Sequence, residues 1–270
     1  MRAVSRLPPI VFSHANGFPA GTYRVLFEAW RAAGHEVHAI DRLGHDTRHP
    51  VTSNWPHLRD ELIAFIESQV AAPALLVGHS LGGILSVIVA AERPDLARGV
   101  LLLDAPVIAG WRARGLHLAK ASGLVRRITP GRVARRRREQ WPSREAIGEH
   151  FARKAVFARW DRRVLDDYVA SGFVRHGSHW TLAFNREVEA RIYETLPHHV
   201  GPLLARRPLR CPLGFIGGRE SLELKQAGLA ATQRLAGKFL EWTDGTHLFP
   251  MEHPDEAARL VVRMASRLLG

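Results

Sequence analysis

The stretch Leu75-Leu76-Val77-Gly78-His79-Ser80-Leu81-Gly82-Gly83 decides how this chain reads. Its first residues close the apolar run "APALLVGH", which has the length and composition of a strand buried on both faces. Gly78-x-Ser80-x-Gly82 follows at once, and then "LGGILSVIVAAERP", an apolar segment of helical length that Pro94 stops. A serine flanked by glycines at a strand-to-helix junction is the arrangement of a nucleophile elbow. The glycines permit a turn too tight for Cβ atoms and leave Ser80 exposed at the carboxyl edge of a sheet. The helix that starts there points its free N–H groups, with Leu81 as a donor, at negative charge developing beside the serine. The pattern by itself is short and recurs by chance; the strand before it and the helix after it make it specific.

Outward from the elbow the chain alternates. "PPIVFSH" predicts a strand, "GTYRVLFEAWRAAG" a helix ending at Gly34, and "HEVHAID" another strand. "TSNWPHLRDELIAFIESQVA" predicts a helix with Leu58, Leu62, Phe65, Ile66 and Val70 on one face, starting after the Asn54–Pro56 turn. "ARGVLLLD" is a second buried-type strand. The rhythm resumes at "CPLGFIGG", then a helix "QAGLAATQRLAG", a strand "KFLEWTDG" and a closing helix "DEAARLVVRMASRLL". Strands with continuous apolar runs, separated by helices, imply a mostly parallel twisted sheet covered on both faces, hence an α/β fold.

Between these two blocks the alternation stops. Residues 105–208 are rich in Arg and Trp with helical patterning ("REAIGEHFARKAVFARW", "DRRVLDDYVASGF", "REVEARIYETL"). They are read as an inserted helical lid, leaving 1–104 and 209–270 as the core. The net charge of +12 concentrates here: residues 105–205 hold 19 Lys and Arg against 9 Asp and Glu, an excess of 10. The ordinary meaning is a solvated helical face; attraction of an anionic substrate or an acidic membrane surface is the alternative. No zinc-finger or RNA-binding signature accompanies the charge, so nucleic acid is not expected as a partner. His198 and His199 are adjacent, a poor geometry for shared ligation, and no metal-ligand spacing, phosphate-cradling loop or dinucleotide fingerprint occurs, so no cofactor is expected. The single Cys211 excludes an internal disulfide, and with no secretory-type apolar segment near the N-terminus a cytoplasmic setting is expected.

His247 lies in "WTDGTHLFPMEHPDEAARL", after a glycine turn at a strand end and before the last helix. That puts it at the same sheet edge as Ser80, whereas His253, beside Pro254, reads as a surface residue. A base so placed could take the Ser80 proton and return it to a leaving group.

The segments "FSHANGFPAGTY", "GHEVHAIDRLGHD", "LLVGHSLGG", "GVLLLDAPV", "GFIGGRE" and "GTHLFPMEHPDE" together resemble the α/β-hydrolase fold superfamily over nearly the whole chain. The first strand already matches the one before the family's oxyanion loop, so a version with a shortened N-terminus is implied. The resemblance implies a triad in the order Ser80, acid, His247. Glu220, 27 residues before His247, matches the family's usual acid position and stands slightly ahead; Asp104, at the end of the strand after the elbow helix, matches a minority arrangement. For the second oxyanion donor, "HANGFP" offers Asn16 if His14 aligns with the family histidine, or Phe18 if Asn16-Gly17-Phe18-Pro19 is the matching tetrad. A serine nucleophile excludes the family's aspartate-based dehalogenases and epoxide hydrolases. It implies hydrolysis of a carboxylic ester or thioester through an acyl-enzyme. C–C bond hydrolysis and perhydrolysis use similar triads and stay open. A different class of function, a non-catalytic or membrane-peripheral protein binding through the basic lid, also stays open, as does the oligomeric state. The lid aromatics Trp111, Trp141, Phe151, Phe157, Trp160, Tyr168, Phe173 and Trp180 are expected to be mostly lid core, with a few available to an acyl group.

Overall fold

The computed structural model describes residues 7–125 and 129–270. Six strands form the central sheet: β1 (Ile10–Ser13), β2 (Val37–Ala39), β3 (Ala74–His79), β4 (Ala97–Leu103), β8 (Leu213–Gly218) and β9 (Leu240–Thr243). They lie in the order β2-β1-β3-β4-β8-β9, every neighbouring pair parallel. Alternate residues of each strand face opposite layers. Ile10, Phe12, Leu75, Val77, Leu101, Leu103 and Ile216 pack against α1 (Arg24–Ala32) and the C-terminal α13 (Pro254–Leu269). Val11, Leu76, Val100, Leu102, Leu213 and Phe215 face α2 (Pro56–Gln69) and α3 (Leu81–Glu92). The continuous apolar strands of the sequence are thus explained by burial on both sides.

Between β4 and β8 runs an insertion holding α4 (Gly110–Ala121), α5 (Gly131–Arg135), α6 (Arg144–Ala152), α7 (Arg162–Ser171), α8 (Arg186–Glu194) and α9 (Val200–Arg206). It is not wholly helical, as the sequence had suggested. A three-stranded antiparallel sheet, β5 (Gln140–Trp141), β7 (His179–Leu182) and β6 (Phe173–His176), lies inside it. The β6–β7 turn is Gly177-Ser178, with Gly177 at φ +60°, a two-residue hairpin connection. These strands gave little signal because only Phe173 of β6 is buried and β7 is half-buried throughout. Trp141, Phe151, Trp160, Tyr168 and Phe173 are all buried and belong to one cluster with the α1 and α13 side of the main sheet. Trp111 points outward instead, 71% exposed.

After β8, where one helix over residues 226–237 was expected, there are two, α10 (Leu222–Ala227) and α11 (Ala230–Ala236), separated at Gly228 with φ +75°. The short α12 (Phe249–Glu252) precedes α13. Among the described residues no helix is long and apolar enough to cross a membrane.

Candidate active site

The turn between β3 and α3 carries Ser80 at φ +53° and ψ −112°, a strained conformation for a side-chain-bearing residue. Two glycines make it possible. A Cβ on Gly78 would lie 2.3 Å from the Gly82 and Gly83 backbone, and one on Gly82 would lie 2.0 Å from the Ser13 carbonyl oxygen. The second distance shows how closely the elbow presses on the end of β1. Parallel pairing of β3 with β4 then brings the end of β4 alongside, where Ser80 N–H donates to the Leu103 carbonyl at 3.1 Å.

The next residue, Asp104, is fully buried at φ +45°. One of its oxygens accepts from the Gly218 N–H at 2.7 Å; the other accepts from the Ser221 hydroxyl at 2.6 Å and from His247 Nδ1 at 2.7 Å. Because a carboxylate only accepts, His247 carries its proton on Nδ1 and presents a bare Nε2, 3.0 Å from Ser80 Oγ. Ser80, His247 and Asp104 are therefore one hydrogen-bonded chain.

Glu220 does not join it, which reverses the order that the sequence favoured. Its carboxylate is held by both Arg159 Nη groups at 2.9 Å, and the Arg159 guanidinium keeps it below the usual carboxylate range. The loop after β8 instead contributes Gly218 N–H and Ser221, which buttress Asp104. Asp104, just past the end of the central strand β4, is the carboxylate that bonds the histidine.

The loop after β1 is held from two sides. His14 is buried, and burial lowers its pKa to about 4, so it is neutral; Nδ1–H donates to the Ala15 carbonyl and Nε2 accepts from Leu43 N–H, both at 2.8 Å. Phe18 N–H is engaged by the Ala15 carbonyl at 3.2 Å. The N–H groups of Asn16 and Leu81 carry no hydrogen bond to another described residue.

Three residues of this site escaped the sequence reading. His79 Nε2–H donates to the His247 carbonyl at 2.8 Å, while its Nδ1 accepts from the Tyr23 hydroxyl at 2.7 Å; burial holds the ring well below the usual histidine pKa. The Tyr23 oxygen in turn accepts from Ala15 N–H at 3.2 Å. Glu252, buried, accepts from Thr246 N–H at 2.8 Å and its hydroxyl at 2.7 Å, bracing the residue before His247. His79 lies inside the elbow motif, but its partners are 56 and 168 residues away and no local pattern points to them.

His198 is bonded to Lys120, whose Nζ lies 3.2 Å from Nδ1, and the described residues hold no group of three or more metal-ligating side chains.

A model of the alpha/beta hydrolase family matches residues 10–260. The chain is 27% identical to mouse monoglyceride lipase (Mus musculus) over 128 residues, 45% of this chain and 42% of that protein. It is 35% identical to the probable esterase PIR7A of Oryza sativa subsp. indica over 126 residues, 44% and 46% of the two chains. The matches thus span less than half the length of these curated relatives. The crystal structure of E-2-(acetamidomethylene)succinate hydrolase superposes with a TM-score of 0.75 over 96% of this chain and 91% of that one, at 21% identity.

Proposed function

The chain belongs to the alpha/beta hydrolase family, and on that footing we propose that it is a serine hydrolase of carboxylic esters or thioesters, working through an acyl-enzyme on Ser80. The observation that carries this is the Ser80–His247–Asp104 chain at 3.0 and 2.7 Å with the serine strained at its elbow. Ser80 Oγ attacks the acyl carbon as His247 Nε2 takes its proton. Asp104 stabilises the imidazolium that results. The carbonyl oxygen, now an alkoxide, accepts from the N–H groups of Leu81 and Asn16, neither of which bonds another described residue. Collapse expels the alkoxide or thiolate, which receives the proton from His247. Water then gives a proton to His247, attacks the acyl carbon, and releases the acid as the proton returns to Ser80. Phe18, two residues after Asn16 and partly buried beside Trp160, is the aromatic surface offered to an acyl group.

A panel of aryl esters with graded acyl length, run on wild type and Ser80→Ala, tests this together with fluorophosphonate labelling. Wild type should turn over and label; Ser80→Ala should do neither. Folded wild type that neither labels nor hydrolyses any ester would end the reading.

A second feature supports contact of the insertion, as a lid, with anionic partners. From Ala105 to Arg138 there are ten Lys and Arg and no acid. Arg114, Arg132 and Arg136 are exposed, as are Trp111, Leu118 and Val133. Apolar side chains among cations suit the interface of an acidic lipid surface, and the same charges would draw an anionic portion of a substrate. Sedimentation of Ser80→Ala with anionic vesicles should show binding that salt abolishes; equal binding to neutral vesicles, or none, would remove this feature. A reducing, cytoplasmic setting suits a chain whose one cysteine, Cys211, is half-buried with its thiol pushed up to about 11 by burial.

A further inference from the structure

Of the four consecutive arginines 135–138, Arg137 is the most buried, its side chain 16% exposed. Its Nη1 donates to Glu189 Oε2 at 2.6 Å and its Nη2 to the Tyr168 hydroxyl at 2.7 Å. The Glu189 side chain is 7% exposed. This ion pair closes over the loop after β1. The Asn16 side-chain amide donates to the Glu189 backbone carbonyl at 2.9 Å. Gly17, at φ +83°, lies under the pair: a Cβ there would be 2.8 Å from Glu189 Oε1 and 3.3 Å from Arg137 Nη1. The Phe18 ring packs on Trp160 and Tyr168 at 5.5 and 5.8 Å between centroids. Asn16 and Phe18 are thus held by the insertion, through a carbonyl and a pair of rings, and between them Gly17 leaves the space that the Glu189 carboxylate and Arg137 fill.

Burying a charge pair is a weak means of stabilising a fold, since desolvation offsets most of the attraction. Its distinctive property is geometric, because a fork-shaped guanidinium fixes a carboxylate in one place. We propose that Arg137 and Glu189 are positioning residues that hold the Asn16-Gly17-Phe18 loop where the Asn16 N–H meets the developing oxyanion. The role rests on the reading of Asn16 as an oxyanion donor, and it makes a docked insertion a condition for full activity.

The test uses the full chain with Arg137→Met/Glu189→Met, which removes both charges and keeps the volume, and with Glu189→Gln, which keeps shape and an acceptor. Three quantities are read beside the melting temperature: kcat and KM on a short aryl ester, the rate of fluorophosphonate inactivation, and amide exchange of a peptide covering residues 14–23. For the double variant kcat and the inactivation rate should fall about 100-fold, the size of loss that a misplacement of about 1 Å produces, with KM nearly unchanged. Exchange in the loop should rise at least about tenfold. Glu189→Gln should fall between wild type and the double variant, and Arg137→Lys, which keeps the charge, should recover part of the rate. Wild-type kcat and wild-type exchange in either folded variant would overturn the proposal. A wild type inactive on every ester would end the hydrolase reading, whereas loop exchange would still decide whether the pair holds the loop.

Discussion

Asp104 and Glu220 stand just past the ends of the neighbouring strands β4 and β8, and what separates them is what surrounds each carboxylate. Asp104 is buried with three donors, one of them His247; Glu220 is exposed and bound by Arg159. The proposed triad therefore predicts that Asp104→Asn lowers kcat by about 10⁴, through loss of the correct His247 tautomer. Glu220→Gln should leave kcat near wild type, and aryl-ester kinetics on both variants check the pair; a large loss from Glu220→Gln alone would reverse the assignment. Tyr23 gives a second test. Tyr23→Phe leaves the buried Ala15 N–H and His79 Nδ1 without partners, which should cost about 1–3 kcal/mol in denaturant melts. It should also lower kcat, because the hydroxyl joins the loop after β1 to the ring that supports His247.

Helix α2 turns a carboxylate inward. Glu61 is buried, accepts from Gly44 N–H at 2.8 Å, and is pushed up to about 7, chiefly by burial and further by the nearby Asp46 charge. Between its ordinary value of 4.5 and about 7 the native chain holds a proton that the unfolded chain has released. Stability from this group consequently falls as pH rises through that window and stays reduced above it. Glu61→Gln has no such proton to lose. Its melting temperature should exceed that of wild type above pH 7, by the equivalent of at most about 3 kcal/mol, with the gap closing toward pH 4.5. A gap that does not vary with pH would refute the shift. The loop this helix supports also carries the Leu43 N–H bonded to His14, so the same titration bears on the loop after β1.

Across the molecule, the insertion shares its aromatic interior with the α1 and α13 face of the sheet. Trp141→Ala should cost about 3–5 kcal/mol and lower a single melting transition seen by both near- and far-ultraviolet circular dichroism. A separate early transition would mean that the insertion folds by itself.

The sheet, the tight turn at Ser80 and the position of His247 at the same sheet edge were legible in the sequence because each is a local pattern. Buried parallel strands need unbroken apolar runs, a tight strand-to-helix turn needs glycines on either side of Ser80, and His247 follows a turn at a strand end. The insertion's hairpin was less legible, since half-buried strands have no strong alternation. The helix after β8 misled because Gly228, at positive φ, ends α10 inside a stretch whose pattern reads as one helix. Which carboxylate meets His247 lay beyond the sequence for a different reason. Glu220 and Asp104 are both carboxylates beside strand ends, and chain order does not say which one the fold desolvates. Only the packing of β8 against β4 brings Gly218 and Ser221 onto Asp104, as Arg159 from the insertion draws Glu220 away. The same holds for His79, Tyr23, Arg137 and Glu189. Their residue types are ordinary along the chain, and their places around His247 and the loop after β1 depend on contacts between distant segments that tertiary structure alone creates.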